Sequence, residues 1–190
     1  MDLNWIVFPA PSVNKKQIDS LPFIYIPKKN KAPTSCMARR SKGTDTIPCI
    51  FWPYSDKSVY SDKILLFFHG NAEDVSQPNA FIIQLGIFLK LNILMIEYPG
   101  YSAYPGSPSS KQIEEDADSV FFYLTQNGIN PSDIYIFGRS IGSGPACYLA
   151  SKYNVGFLGL MSAYTSLRDV ACDLVGKFWS KLLKERFPNG

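Results

Sequence analysis

The sequence predicts an α/β domain built on a doubly wound, mostly parallel sheet. Short, almost unbroken apolar runs recur at Ile64-Leu65-Leu66-Phe67-Phe68, Ile93-Leu94-Met95-Ile96 and Ile134-Tyr135-Ile136-Phe137. Runs of this kind suit strands covered on both faces. Segments of helical length lie between them over brief connections, and that alternation marks a parallel sheet. A third observation is chemical as well as structural. In Gly138-Arg139-Ser140-Ile141-Gly142 a serine stands between glycines where a strand gives way to a small-residue helix.

The elements follow in order. Residues 1–42 are rich in Pro, Lys and Ser and read as an N-terminal arm carrying a first strand at Phe23-Ile24-Tyr25-Ile26. Residues 43–190 read as the remainder of one domain, without repeats or low-complexity tracts. Ile47-Pro48-Cys49-Ile50-Phe51-Trp52 is a short strand, expected near a sheet edge because prolines bracket it. The strand at 63–68 is followed by a helix over 78–89. The strand at 92–98 stops at Pro99-Gly100, and 101–108 is a turn-rich connection.

Ser109-Ser110 caps a helix that runs to Gln126 and closes at Asn127-Gly128. Its early acidic residues, Glu114, Glu115, Asp116 and Asp118, complement the helix dipole and are not read as a metal site. The serine-bearing strand, a helix over 141–153, a strand at 156–161 and a last helix from Ser166 toward Leu183 complete the pattern. Phe67, Phe68, Phe121, Phe122 and Tyr123 are core candidates, and packing accounts for Ser102 and Ser143. Phe178 and Trp179 are candidates to line an acyl groove.

Composition narrows the function. The chain has 190 residues, 46% hydrophobic and 14% aromatic, so it is globular rather than disordered. A net charge of +3, widely scattered, gives no reason to expect nucleic acid as a partner. The basic stretch Lys28-Lys29-Asn30-Lys31, with Arg39, Arg40 and Lys42, has the charge for peripheral contact with acidic lipid head groups, although a solvated loop is the plainer reading. No apolar run approaches the ~18 residues that a membrane helix needs, and the N-terminus lacks the pattern of a secretory signal. The four cysteines, Cys36, Cys49, Cys147 and Cys172, show no metal-ligand spacing and fit reduced thiols in a cytoplasmic protein.

Catalytic chemistry is concentrated at Ser140. Glycines beside it permit a tight corner that lifts the hydroxyl clear of the sheet. A serine hydroxyl becomes a useful nucleophile only when a base removes its proton. Two backbone amides are candidates for holding an oxyanion: Ile141, just after the serine, and Asn71, in the loop His69-Gly70-Asn71-Ala72 after an earlier strand. Such a serine needs neither metal nor organic cofactor. The chain has one histidine, His69, and it precedes Ser140. Within that loop its imidazole is expected to bond backbone and shape the turn rather than serve as base. Asp169, Asp173 and Glu185 are the acids that follow Ser140, with Asp169 the best placed of them.

Four strings together carry a resemblance: His69-Gly70-Asn71-Ala72-Glu73-Asp74; Glu97-Tyr98-Pro99-Gly100-Tyr101; residues 137–146 around Ser140; and Ser162-Ala163-Tyr164-Thr165-Ser166-Leu167. The approach Phe8-Pro9-Ala10-Pro11 is similar too. The chain resembles the α/β-hydrolase superfamily, and within it the α/β-hydrolase domain-containing protein 17 group, thioesterases that remove palmitate from protein cysteines. The resemblance implies an acylated protein or a small acyl ester as substrate, with Ser140 as nucleophile. It also implies a triad acid and histidine on two further strands, so the chain reads as a hydrolase fold lacking those strands and is expected to be catalytically incomplete. Members of the group begin with a cysteine-rich, palmitoylated tail that has no counterpart before Trp5, and they tend to have glycine where Ser102 stands. The alternative is a non-catalytic, hydrolase-like module that binds an acyl group or a protein.

Overall fold

The computed structural model describes residues 20–29, 45–54, 61–71, 73–75 and 80–164. Six strands within these segments form one sheet: β1 Phe23–Pro27, β2 Thr46–Trp52, β3 Ile64–Phe68, β4 Asn92–Ile96, β5 Ile134–Arg139 and β6 Phe157–Met161. Their spatial order is β1-β2-β4-β3-β5-β6. β4, β3, β5 and β6 run parallel, while β2 lies antiparallel between β1 and β4. Among the described residues three α-helices connect them: α1 Ala80–Leu89, α2 Ser110–Gln126 and α3 Ser143–Lys152. The expected helix from Ser166 lies outside the described residues.

Alternation of side chains along each strand divides the core into two layers. Leu66, Phe68, Leu94, Ile96, Ile134 and Ile136 face α2 and α3, meeting Ile113, Val120, Phe121 and Leu149. Leu65, Phe67, Ile93, Met95 and Phe137 face the other way, against Ile82 and Leu85 of α1. Helices on both faces explain why these strands are apolar at every position. They also bear out the doubly wound arrangement.

β2 lies near an edge, next to the outermost strand β1. Pro48 is tolerated because it falls one residue beyond the paired register with β4, where Cys49 opposes Ile96. There its carbonyl still accepts the Glu97 N–H at 3.1 Å, and the donor that proline lacks is forgone only at the very end of the ladder. Among the described residues the edges are β1 and β6, and Phe157 and Leu160 on β6 are largely exposed.

α2 begins and ends where its sequence predicts. The Ser109 hydroxyl accepts the Gln112 N–H at 3.2 Å, and the Asn127 side chain donates to the Tyr123 carbonyl at 2.7 Å. Its acidic residues do something other than balance a dipole. Asp116 is buried, accepting from the Tyr104 hydroxyl at 2.7 Å and the Gln112 amide at 2.9 Å. Asp118 accepts from Tyr148 at 2.8 Å, Tyr153 at 2.9 Å and Lys152 at 2.5 Å, clamping α2 to α3. Phe122 and Tyr123 are exposed on the far side of α2, because the sheet-facing positions are 113, 117, 120, 121 and 124.

Burial on its own raises the Asp118 pKa, but the hydrogen bonds from Lys152, Tyr148 and Tyr153 outweigh it and hold the carboxyl below its ordinary value of 3.8. Stability from this clamp is therefore fully present above that ordinary value and is lost as pH falls through the lower folded one. Asp116 is shifted the opposite way, raised chiefly by burial, and contributes no such loss on acidification. Asp118→Asn should lower the denaturant midpoint at neutral pH and converge with the wild type near pH 2. A constant difference across that range would show that charge on Asp118 is irrelevant to the clamp.

Candidate active site

β3 and β5 are neighbours, with Phe68 opposite Gly138, so the loops leaving their carboxyl ends start side by side. This is where open α/β sheets place ligands. β5 ends at Arg139 in extended backbone, and Ser140 then turns into the left-handed region with φ +50°. A left-handed non-glycine residue costs about 1–2 kcal/mol, so the surrounding structure must enforce the corner. Residues Ser140–Gly142 form a single 3₁₀ turn that opens into α3.

The enforcing contacts are visible. A Cβ on Gly142 would fall on the Phe68 carbonyl and lie 2.7 Å from the His69 carbonyl oxygen. The turn therefore rests directly on the backbone at the end of β3. A Cβ on Gly138 would strike Ala146 of α3 at 2.7 Å. Both glycines of the motif are thus required by close approach rather than by a left-handed backbone.

Ser140 is half-buried on the turn, and its hydroxyl has no hydrogen-bond partner among the described residues. Ile141 is buried, in the opening turn whose first amides have no acceptor within the turn itself. Its carbonyl accepts from the Tyr164 hydroxyl at 3.4 Å. Asn71 lies in the loop leaving β3, and its side-chain oxygen accepts from the Tyr101 hydroxyl at 3.0 Å. The loops bearing these residues meet at one end of the sheet. Asp169, Asp173, Glu185, Phe178 and Trp179 lie outside the described residues.

His69 is 2% exposed with both ring nitrogens engaged. Nδ1 donates to the Gly70 carbonyl at 3.0 Å, a group that can only accept, and Nε2 meets Glu97 Oε1 at 3.0 Å. The ring also stacks on Tyr98, 4.0 Å between centroids. A ring held this way is part of the loop's foundation and is not available to Ser140 as a base.

Sequence reasoning missed what binds the two loops together. Glu73 accepts the Gly70 N–H at 3.0 Å and pairs with Arg139, the residue before the serine. Glu97 at the end of β4 accepts from His69, from the Tyr98 N–H at 3.0 Å and from the Val75 N–H at 3.3 Å, and is wholly buried. A carboxylate closing an apolar strand was the available clue, since a buried charge requires partners.

Ser102 carries both a backbone and a polar cost in its turn. Its backbone has φ +41° and its buried hydroxyl oxygen has no hydrogen-bond partner among the described residues. Glycine relieves both, so Ser102→Gly should stabilise the chain by about 1 kcal/mol. A lower melting midpoint for that variant would contradict this.

Comparison with known proteins agrees with this geometry. No family model matches the chain. It is 37% identical over 148 residues to human α/β-hydrolase domain-containing protein 17B, covering 77% of this chain and 50% of that protein. It is 34% identical over 142 residues to mouse α/β-hydrolase domain-containing protein 17C, covering 70% and 43%. The chain thus spans about half the length of the curated relatives it matches. Among solved structures it is similar to an α/β hydrolase from Vibrio vulnificus, with a TM-score of 0.65, 19% identity, and 98% and 68% of the two chains covered. An esterase from Pyrococcus furiosus gives a TM-score of 0.60 at 15% identity, covering 92% and 62%. Sheet order and these relatives agree: the chain belongs to the α/β-hydrolase family, and its curated relatives at 33–37% identity include domain-containing protein 17 members.

Proposed function

We propose that the chain carries the nucleophile and oxyanion half of a serine hydrolase acting on acyl thioesters or esters, with an acylated protein such as a palmitoyl-protein as the natural substrate. The observation that carries this reading is Ser140 at φ +50° on a turn seated against the β3 loop. Ser140 Oγ attacks the acyl carbonyl carbon, and the Asn71 and Ile141 amides receive the developing oxyanion. The carbonyl re-forms as the thiol or alcohol leaves with a proton. Water then attacks the acyl-serine and releases the carboxylic acid.

Proton transfer in both steps requires a base. The sole histidine is committed to Gly70 and Glu97, so we read this chain by itself as catalytically incomplete. Loss of catalytic-triad members costs up to about a million-fold in turnover. The expected result with a fluorophosphonate probe is slow labelling at Ser140, faster on addition of free imidazole and absent in Ser140→Ala. Folded protein that stays unlabelled even with imidazole would refute an assembled nucleophile site. It would instead favour a module that binds an acyl group or a protein, a reading to which the buried histidine lends support.

No helix among the described residues is long and apolar enough to cross a membrane. We propose a cytoplasmic setting with peripheral contact at membrane surfaces, for which the basic stretch Lys28-Lys29-Asn30-Lys31 has the charge.

A further inference from the structure

The loop running from His69 to Val75 is gripped by the segment that follows β4. Glu97 takes the His69 ring at the loop's start and the Val75 N–H at its end. The Tyr98 hydroxyl donates to the His69 carbonyl at 2.9 Å, and its ring stacks on the imidazole. Tyr101, fully buried and edge-on to Tyr98 at 5.7 Å, donates to Asn71 Oδ1 at 3.0 Å. None of the contacts from this segment to the loop is local, since those partners stand 22 to 30 residues apart. They fix the loop at both ends and at Asn71 itself.

We propose that Glu97, Tyr98 and Tyr101 are positioning residues that hold the 69–75 loop so that the Asn71 amide faces the space beside the Ser140 hydroxyl, where the oxyanion develops, before substrate arrives. The inference rests on the oxyanion role assigned to Asn71. A donor assists the reaction only if it already stands where charge will develop. A loop leaving a strand end does not hold one direction without such tethers. Tyr101 restrains the side chain of the very residue whose amide matters, and Tyr98 with Glu97 anchors the residues on either side of it.

Amide hydrogen exchange on the full chain tests this, together with imidazole-assisted fluorophosphonate labelling of Ser140. Tyr101→Phe and Tyr98→Phe each remove one hydroxyl and leave the ring in place, so neither opens a large cavity. Tyr101→Phe should speed exchange in the 69–75 segment by about two- to ten-fold, as expected for the loss of one hydrogen bond. It should slow Ser140 labelling by a similar factor and leave the amides of β3 and β5 unchanged. Tyr98→Phe should act in the same way, centred on His69 and Gly70. Unchanged exchange in the loop, or faster exchange spread evenly across the sheet, would overturn the proposal. So would a local change in exchange with no change in labelling, since the tether would then be structural only. If the wild type does not label at all, the oxyanion reading itself falls, and the positioning role falls with it. That outcome is distinguished from failure of the tether alone by the wild-type labelling rate.

Discussion

Gly142→Ala is expected to destabilise the chain by about 3 kcal/mol, at the upper end of the cost of overpacking, and to displace Ser140 from its turn. Local preference points the other way. Gly142 has φ −67°, which alanine adopts freely, and alanine is favoured over glycine in helices by about 1 kcal/mol. The opposition is steric. The added methyl would meet the carbonyl carbon of Phe68 at 2.6 Å and the carbonyl oxygen of His69 at 2.7 Å, all backbone. Phe68 ends β3, which is paired to β4 on one side and to β5 on the other, so that backbone has nowhere to retreat. Urea midpoints should fall sharply, and Ser140 labelling should fall further than stability alone explains. A neutral or stabilising Gly142→Ala would mean that the serine turn does not rest on β3, and the proposed site would lose its main support.

Features that follow from local chemistry were legible in the sequence. Strands apolar at every position signalled helices on both faces, and Ser109 with Asn127 marked the ends of α2 through their own hydrogen bonds. The serine corner was legible because only small neighbours permit such an approach. Long-range pairing was not legible. Prolines placed β2 near an edge, but they did not show that Pro48 falls where its pairing with β4 ends. Asp116 and Asp118 looked like dipole partners, but Tyr104, Tyr148 and Tyr153 claim them from other elements. Nothing within the Glu97-Tyr98 string indicates that its carboxylate reaches His69, 28 residues earlier. The core of the candidate site is thus written as motifs, and its supports as contacts that only the folded chain brings together.

The second large effect is expected from Glu97→Ala, a loss of about 3–5 kcal/mol, the range found when one partner of a buried polar pair is removed. The Glu97 carboxylate is wholly buried and accepts from three donors: the His69 ring at 3.0 Å, the Tyr98 N–H at 3.0 Å and the Val75 N–H at 3.3 Å. Truncation strands all three in the interior, and each stranded donor costs about 1–3 kcal/mol. Glu97→Gln should lose less, because its carbonyl oxygen retains one acceptor while its amide nitrogen confronts donors. Ionic strength separates this support from the more exposed one. Salt screens exposed charges well and buried ones poorly. Glu73 and Arg139, with side chains 31% and 38% exposed, form a pair whose contribution salt should erode. Urea midpoints at low and high salt should therefore show an undiminished Glu97→Ala deficit beside a shrinking Glu73→Gln deficit. Equal salt sensitivity for the two would show that Glu97 is reached by solvent, and the foundation of the loop would have to be sought elsewhere.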